Sequence, residues 1–256
     1  MNLTKNEIKY YSSLLQKKFR NAENKFIVEG KKLVEEVINS AYQIERVITT
    51  NEFLDTNYEF VSSINKKHFD ISTIRVKDFE KLSDTVNPQG ICAVVISPEI
   101  NPEIRFDSPI IIALENISDP GNLGTIIRTC DWFGLKNILL SEECAEVYNP
   151  KVLRASMGSV FRSFSRSELD FVGSLNSLKT NGYKIICADM DGENIYNFKK
   201  PSKYVIVLCN EANGPSKELL DVIDAKITIP KLGDAESLNV ASAAAIIISE
   251  FTKYLR

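Results

Sequence analysis

Residues 108–134 constrain the fold more than any other stretch of this 256-residue chain. An apolar run at residues 110–114 is typical of a strand buried on both faces of a sheet. A polar turn over residues 116–122 follows, and residues 125–133 have the spacing of an amphipathic helix that ends at Gly134. A tight turn before a helix exposes unpaired N–H groups, so this stretch predicts a ligand site. The alternative is an ordinary connection in which Asn and Gly serve turn geometry.

Strand and helix patterns alternate along the whole chain, which predicts an α/β fold. In the first half, strands are predicted at 26–30, 44–50 and 91–97, with helices at 2–16, 31–41 and 76–84. In the second half, the strands are at 110–114, 137–141, 183–190, 203–210 and 225–230, and the helices at 125–133, 149–162, 170–182, 216–224 and 238–255. Three prolines mark residues 98–109 as a linker. The predicted domains are therefore residues 1–97 and 110–256.

The composition is that of a globular protein, with 44% apolar and 25% charged residues. No apolar stretch approaches the ~20 residues of a membrane span. Residues 1–19 lack the apolar core of a signal peptide. The five cysteines are scattered and form no C-x-x-C pair, which indicates reduced, mostly buried thiols. We therefore expect a cytoplasmic protein without a membrane partner.

The charge is balanced overall, at −3, but two local clusters are basic. Residues 1–32 hold eight basic and three acidic residues, a net of +5, and residues 151–166 hold four basic residues and no acidic one. Such clusters usually form solvated faces. They would also suffice to bind a phosphate backbone. The candidate RNA-binding residues are Lys17, Lys18, Arg20, Lys31, Lys151, Arg154 and Arg162.

Several common chemistries are excluded by what the sequence lacks. The single histidine, His68, lies in the first half, so no Ser–His or Cys–His pair can form within the second half. Neither a G-x-S-x-G elbow, a P-loop, a G-x-G-x-x-G turn nor a zinc-binding spacing is present, and no metal is expected. What remains are polar turns at residues 116–124, 209–216 and 232–239. In open α/β sheets, ligands bind where such turns gather at the carboxyl ends of strands.

These turns carry motifs that resemble those of SpoU-type RNA ribose 2′-O-methyltransferases of the SPOUT superfamily. The matching segments are N-x-x-D-P-x-N-x-G-x-x-x-R-T at 116–129, R-A-S-M-G-S-x-F-R at 154–162, L-C-N-E-A-x-G at 208–214, I-P at 229–230 and E-S-L-N-V-A at 236–241. In the first half, F-I-V-E-G at 26–30 and P-Q-G-I at 88–91 resemble the family's small substrate-binding domain. One departure is that Cys209 and Ala212 stand where the family usually has glycines.

The resemblance implies the fold, the cofactor and the partners. It implies a C-terminal parallel sheet tied in a trefoil knot, with a smaller N-terminal α/β RNA-binding domain of ribosomal-protein type. It also implies that the methyl donor is S-adenosylmethionine (SAM). The residues implied to hold SAM are Leu208, Cys209, Gly214, Ile229 and Leu238. The implied substrate is RNA, ribosomal RNA ahead of transfer RNA.

The resemblance also implies a homodimer through the knotted domain, because the family dimerises in this way. The helix after the first motif and the last helix, which holds Ile246, Ile247, Ile248 and Phe251, have more apolar surface than one sheet face would cover.

Arg128 is the residue that the resemblance implies at the centre of the reaction. The family usually assigns it the role of accepting the hydroxyl proton, but a guanidinium with a pKa above ~12 rarely deprotonates. We expect it instead to clamp an adjacent phosphate and steady the developing alkoxide. Asn116, Glu211, Ser237 and Asn239 would set the geometry around it.

Two other functions fit parts of the pattern. A catalytically silent RNA-binding protein of the same fold would explain the substitutions at Cys209 and Ala212. A nucleotide-dependent enzyme with an ordinary doubly wound sheet is the other, although neither a glycine fingerprint nor a P-loop supports it. Measuring SAM binding separates the first alternative from an active enzyme.

Overall fold

The computed structural model describes residues 3–67, 69–98 and 108–254. His68 and most of the predicted linker, residues 99–107, lie outside the described residues. Contacts divide the chain into two compact units, and each is described by itself. Unit 1 comprises residues 1–100 and 148–161, and unit 2 comprises residues 101–147 and 162–256. The predicted domain bounds stay a prediction.

Unit 1 is built on a four-stranded sheet in the order β1-β4-β2-β3. Only β2 and β3 are parallel; β4 is antiparallel to both of its neighbours. Its strands are β1 (Lys25–Glu29), β2 (Ile44–Thr50), β3 (Ile71–Ile74) and β4 (Ile91–Ile96). Its helices are α1 (Lys5–Ser13), α2 (Lys17–Glu23), α3 (Lys31–Ile38), α4 (Asn51–Thr56), α5 (Tyr58–Lys66), α6 (Val76–Phe79), a 3-10 turn (Glu80–Leu82), α8 (Pro150–Ser156) and a second 3-10 turn (Ser159–Arg162) that runs to the edge of the unit.

The segment 148–161 packs within unit 1 although it lies far along the sequence. Tyr148 stacks on Phe26 with ring centroids 4.2 Å apart, and Phe161 meets Tyr42 edge-on at 5.3 Å. Burial of these rings removes apolar surface from water, which is the main stabilising contribution of such contacts. Unit 1 is therefore completed by residues that the sequence pattern groups with the second half.

Unit 2 contains a six-stranded, wholly parallel sheet in the order β10-β8-β9-β5-β6-β7. Its strands are β5 (Ile110–Glu115), β6 (Asn137–Ser141), β7 (Phe164–Glu168), β8 (Lys184–Asn194), β9 (Tyr204–Cys209) and β10 (Ala225–Thr228). Its helices are α7 (Pro120–Trp132), α9 (Phe171–Thr180), α10 (Lys217–Leu220) and α11 (Val240–Thr252). Central strands β5 and β9 are buried along their whole length, as near-continuous apolar runs require. The predicted α/β fold with a parallel sheet is confirmed.

Three local expectations need correction. Helix α7 begins at Pro120 and not at residue 125, because the Asp119 carboxylate caps it by accepting from the Asn122 N–H at 2.8 Å. Strand β7 was not predicted, since its sequence, FSRSE, is polar and it lies at the sheet edge. Residues 51–75, for which no element was predicted, form α4, α5 and β3.

Helix α11 buries most of the apolar surface on which the homodimer argument was based. Ile247, Ile248 and Phe251 are each at most 2% exposed within the single chain, and only Ile246 is half-buried. The apolar surface that was expected to remain for a partner subunit is thus covered largely by the chain itself, partly because α11 packs on α7.

Among the described residues, no helix is both long and apolar enough to cross a bilayer.

Candidate active site

The end of strand β5 is fixed by a buried carboxylate. Glu115 is 5% exposed and accepts two hydrogen bonds from Ser216, from the backbone N–H at 3.0 Å and from the hydroxyl at 2.6 Å. The same hydroxyl oxygen accepts from the Leu219 N–H and so caps α10. An unpaired carboxylate at this depth would be costly, so these bonds tie the first polar turn to the second.

Asn116 follows Glu115 in a left-handed conformation, with φ at +60°. Asparagine tolerates this region better than most residues. Its backbone N–H donates to the Ser141 hydroxyl at 3.0 Å, and that hydroxyl donates to Asn116 Oδ1 at 3.2 Å. Asn116 therefore shapes the turn between β5 and α7, and much of its hydrogen-bonding capacity is used in doing so.

Asn210 connects the first and second turns. Its side-chain amide donates to the Asn116 carbonyl at 3.2 Å, and its Oδ1 accepts from the Ala212 N–H at 2.8 Å. Its carbonyl accepts from the N–H of Gly214, which has a φ of +64° that favours glycine. These bonds fix the backbone conformation of the second turn.

The third turn joins the first through Asn239. Its Nδ2 donates to Asn122 Oδ1 at 3.0 Å, while its Oδ1 caps α11 by accepting from the N–H groups of Ala241 and Ser242. Both polar atoms of the side chain are therefore engaged. Asn239 positions the turn, and it brings the starts of α7 and α11 together.

A cavity of about 270 Å³ lies where these turns meet. Its polar lining includes Asp119, Asn210 and Glu211, and its apolar lining includes Ile117 and Val240. Two carboxylates beside apolar surface suit a cationic ligand with an apolar body. Of the predicted site residues, Glu211 alone is in the lining; none of the five predicted SAM-binding residues is.

The five predicted SAM-binding residues lie along the strand ends and the loop of unit 2. Leu208 and Cys209 end β9 and are buried, Ile229 and Gly214 are half-buried, and Leu238 is 47% exposed. Residues 231–239 form an exposed loop, in which Leu232 is 100% exposed. The loop therefore exposes apolar surface of Leu232 and part of that of Leu238.

Cys209 faces a second thiol. Its Sγ lies 3.9 Å from that of Cys187, and this hydrogen bond together with burial raises the pKa of Cys209 above its usual value. The thiol is therefore neutral and inert at physiological pH. The residue that replaces the family's glycine here contributes packing and no ionised sulfur. All five cysteines are buried and free, as predicted.

Arg128 lies on the exposed face of α7. Among the described residues, it has no hydrogen bond, ion pair or ring contact. The side chains of Glu211 and Ser237 are likewise exposed and unpaired within the described part of the chain. These three groups retain their capacity to bind a substrate.

The basic residues predicted to bind RNA fall into two groups, one engaged within the fold and one exposed. Arg20 is 4% exposed and its guanidinium donates to the carbonyls of Leu14 and Leu15. Arg154 forms a bidentate ion pair with Asp84, and Arg162 forms an ion pair with Asp131 at 2.9 Å. Lys17, Lys18, Lys31 and Lys151 are exposed, and the Lys31 ammonium donates to Asn57 Oδ1 at 2.8 Å.

The described residues contain no group of histidine, cysteine or acidic side chains suited to hold a metal ion.

Comparison with known proteins identifies the family. Residues 109–249 match the model of the SpoU rRNA methylase family, and residues 5–93 match an MRM3-like substrate binding domain. The chain belongs to the SpoU rRNA methylase family. This confirms the family resemblance found in the sequence. It also confirms the prediction that the chain is a SAM-dependent RNA 2′-O-methyltransferase.

Relatives of this SpoU family chain match over nearly its full length. It is 30% identical to the 23S rRNA (guanosine(2553)-2′-O)-methyltransferase RlmP of Bacillus subtilis, with 94% of each chain covered. It is 26% identical to the mitochondrial rRNA methyltransferase 3 of Mus musculus, covering 93% of this chain and 69% of that protein.

Solved structures of the same family have the same fold. A TrmH-family protein from Porphyromonas gingivalis is 33% identical with a TM-score of 0.87, and 98% of each chain is covered. An AdoMet-bound rRNA methyltransferase from Sinorhizobium meliloti is 25% identical with a TM-score of 0.83, covering 100% of this chain and 97% of that one.

The sequence did not reveal the hydrogen bonds that hold these turns together. Glu115, Ser141 and Ser216 were not among the predicted residues. A usable signal existed for Ser216, since serine before a helix that has an acidic residue in its first turn is a typical N-cap. The partnership of Glu115 with Ser216, 101 residues apart, has no local signature.

Proposed function

We propose that this SpoU family enzyme transfers the methyl group of SAM to a ribose 2′-hydroxyl of ribosomal RNA. The observation that carries the proposal is that the three motif segments line one cavity, through residues such as Asp119, Glu211 and Val240, and that α7, whose first turn lines this cavity, also carries the exposed Arg128. The names of relatives support ribosomal RNA as the substrate, because RlmP acts on 23S rRNA and the mouse protein is an rRNA methyltransferase.

The charges in the cavity lining support SAM as the methyl donor. When bound, SAM supplies an electrophilic methyl group on a positively charged sulfonium. Asp119 and Glu211 in the cavity lining favour a positive charge nearby. Backbone groups of Cys209 and Gly214 and the side chains of Ile229 and Leu238 would hold the adenosine, with Leu208 packing behind them. No metal enters the proposal.

Arg128 would bind the phosphate next to the target ribose. A guanidinium forms two parallel hydrogen bonds to phosphate, which fixes the nucleotide's orientation. Its fixed positive charge would also stabilise the alkoxide as the 2′-hydroxyl loses its proton late, to phosphate or water. Alignment of the hydroxyl with the methyl group supplies much of the rate.

Asn116 and Asn239 would act as positioning residues. Their side chains are engaged in holding the turns, so they would align the cavity without accepting a proton themselves. The side chains of Glu211 and Ser237 are exposed and make no hydrogen bond within the described part of the chain, which supports direct contact with the ribose or the donor.

The assembly and division of labour are further parts of this proposal. Residues 1–97 would select the RNA and residues 110–256 would hold the donor within a trefoil knot, in a cytoplasmic homodimer. The match of residues 5–93 to a substrate binding domain supports the first part. The exposed basic candidates are Lys17, Lys18 and Lys31 within residues 1–97 and Lys151 outside that range; Arg20, Arg154 and Arg162 are engaged within the fold and rank behind them.

The test uses ribosomal RNA from a strain that lacks this protein. The purified full chain is incubated with that RNA and labelled SAM, and the methylated nucleotide is mapped. We expect one 2′-O-methylated ribose in ribosomal RNA. Base methylation, or transfer confined to transfer RNA, would contradict the proposal; SAM binding without any transfer would favour the silent RNA-binding alternative.

A further inference from the structure

A second cavity, of about 520 Å³, opens in unit 1 and is nearly twice the volume of the one in unit 2. It lies among the start of α3, helices α4 and α6, and residues 88–90 of the loop before β4. Its volume falls within the range of cavities that hold small organic ligands. No part of the proposed transfer chemistry uses it.

The floor of this cavity is apolar. Phe53 and Phe79 form it and are 7% and 1% exposed. Gly90 closes one side with a φ of +82°, and a Cβ there would lie 2.7 Å from Thr50 Oγ1. A larger residue would therefore be both strained and crowded. The lining therefore requires glycine at this position, and its apolar floor suits an apolar or aromatic group.

The rim offers hydrogen-bond donors in fixed positions. Gln89 Oε1 accepts from the Lys31 backbone N–H at 2.9 Å, so the orientation of its amide is set. Its Nε2 has no hydrogen-bond partner among the described residues. The Lys31 ammonium donates to Asn57 Oδ1 at 2.8 Å and lies 5.3 Å from the Phe60 ring centroid. These contacts hold the lysine in place while leaving it N–H donors to spare.

The rim also carries two acceptors. Glu52 and Glu80 line the cavity, are exposed, and have side chains with no partner in the described part of the chain. Two carboxylates beside one ammonium give the rim no net positive charge, so a phosphate group alone is not expected to bind it. Fixed donors beside carboxylate acceptors instead match the edge of a nucleobase, which presents both N–H and carbonyl groups.

We infer that this cavity receives one unstacked base of the substrate RNA. The base lies on the apolar floor, and Gln89 with the two glutamates binds its edge. The inference rests on the proposed function, since RNA is the ligand invoked. A base inside a duplex cannot reach such a cavity, so this site selects single-stranded or bulged nucleotides.

The first test is calorimetry on the full chain with saturating SAM, so that the cofactor turns are occupied. The probes are the four ribonucleoside 5′-monophosphates, with ribose 5-phosphate as the probe that lacks a base. We expect at least one nucleotide to bind and ribose 5-phosphate not to bind. Val76, 43% exposed at the rim, is the site of the blocking variant Val76→Trp, for which we expect binding weakened about tenfold or more.

Two further variants keep this test sharp. Tyr58→Ala changes a side chain that is 69% exposed on α5 and does not line the cavity, so affinity should stay within about twofold. Gln89→Ala, which removes an exposed amide, should lower the affinity for the preferred nucleotide about threefold to tenfold. Binding of no nucleotide, equal binding of ribose 5-phosphate, or nucleotide affinity unchanged in both Val76→Trp and Gln89→Ala would overturn the inference.

Methyl transfer separates this inference from the proposed function. With ribosomal RNA, Val76→Trp should lower kcat/KM about tenfold while SAM affinity stays unchanged. If the wild-type chain methylates ribosomal RNA but binds no mononucleotide, the cavity inference fails and the function stands. If mononucleotides bind as expected but no RNA is methylated, the function fails and the cavity remains a nucleotide site.

Discussion

The two units differ in how their candidate arginines are engaged. In unit 2, asparagines and serines hold three turns by hydrogen bonds, and Arg128 is left unpaired within the described residues. In unit 1, Arg154 is paired with Asp84 and Arg20 is buried against backbone carbonyls. A basic cluster in a sequence is therefore an incomplete guide to a free cationic surface, because its lysines are exposed while Arg20 and Arg154 are engaged within the fold. An arginine that belongs to a motif of turn-forming residues, such as Arg128, is a better guide to a free cationic group.

The largest expected effect concerns Arg128. Arg128→Ala should lower kcat by about 100-fold or more, because a group that stabilises developing charge is lost. SAM affinity and the thermal unfolding temperature should hardly change, since the side chain has no partner in the described structure. Lys136→Ala, at another exposed basic position of unit 2, is the matched control and should keep full turnover. An Arg128→Ala enzyme as active as this control would show that Arg128 is not part of the machinery.

The next effect tests whether the turns of unit 2 depend on the buried Glu115. Ser216→Ala removes one hydrogen bond to that carboxylate and the cap of α10, so it should destabilise the protein by about 2 kcal/mol. Chemical denaturation followed by circular dichroism measures the change. Ser249→Ala, at an exposed serine of α11, should cost less than about 0.5 kcal/mol. Equal stability of the two variants would mean that the Glu115 contact contributes nothing.

A smaller effect sharpens the contrast between exposed lysines and paired arginines. The double variant Lys17→Ala/Lys18→Ala should lower the slope of log affinity for RNA against log salt concentration by the equivalent of about two phosphate contacts. Arg154→Ala should lower this slope by the equivalent of less than about one contact, because Asp84 already engages that guanidinium. Fluorescence anisotropy across a salt series gives both slopes. A steeper loss for Arg154→Ala than for the double variant would reverse the ranking.

The smallest effect is a pH dependence in unit 1. Burial raises the pKa of Glu29 above its usual value, while hydrogen bonds from Ser83 and Thr85 partly oppose the shift. Folded protein then binds this proton more tightly than unfolded protein does. The stabilisation from protonation is present below the ordinary value near 4.5 and is lost as pH rises through the folded pKa. When the pH is lowered from 7 to 4, the unfolding temperature of the wild type should therefore rise relative to that of Glu29→Gln. A relative loss over that interval would contradict the assignment.

The sequence predicted what local pattern encodes. The buried strands β2, β5 and β9 were expected within a residue or two, because apolar runs of this length have one stable place, inside a sheet. The early start of α7 was missed because Asp119 and Pro120 were assigned to the turn, although a capping residue followed by proline is a typical helix start. Polar edge strand β7 gave no apolar signal.

Long-range contacts lay beyond the sequence. The packing of residues 148–161 within unit 1 depends on rings such as Phe26 and Tyr148, which are 122 residues apart. Nothing local in either ring specifies the other. Because that segment would lose its partners in a shortened chain, the functions of the two units are best separated by substitutions in the full-length protein.

The most direct test of the central claim, that the turns of unit 2 hold the methyl donor, compares two leucines of one exposed loop. Leu238 belongs to the third motif and is 47% exposed, whereas Leu232 is 100% exposed and lies outside the motif. Calorimetry should show SAM binding to wild type, an affinity about tenfold lower for Leu238→Ala, and wild-type affinity for Leu232→Ala, because only Leu238 would be covered by the ligand. Equal affinities for the two variants, or no SAM binding by the wild-type chain, would contradict the account.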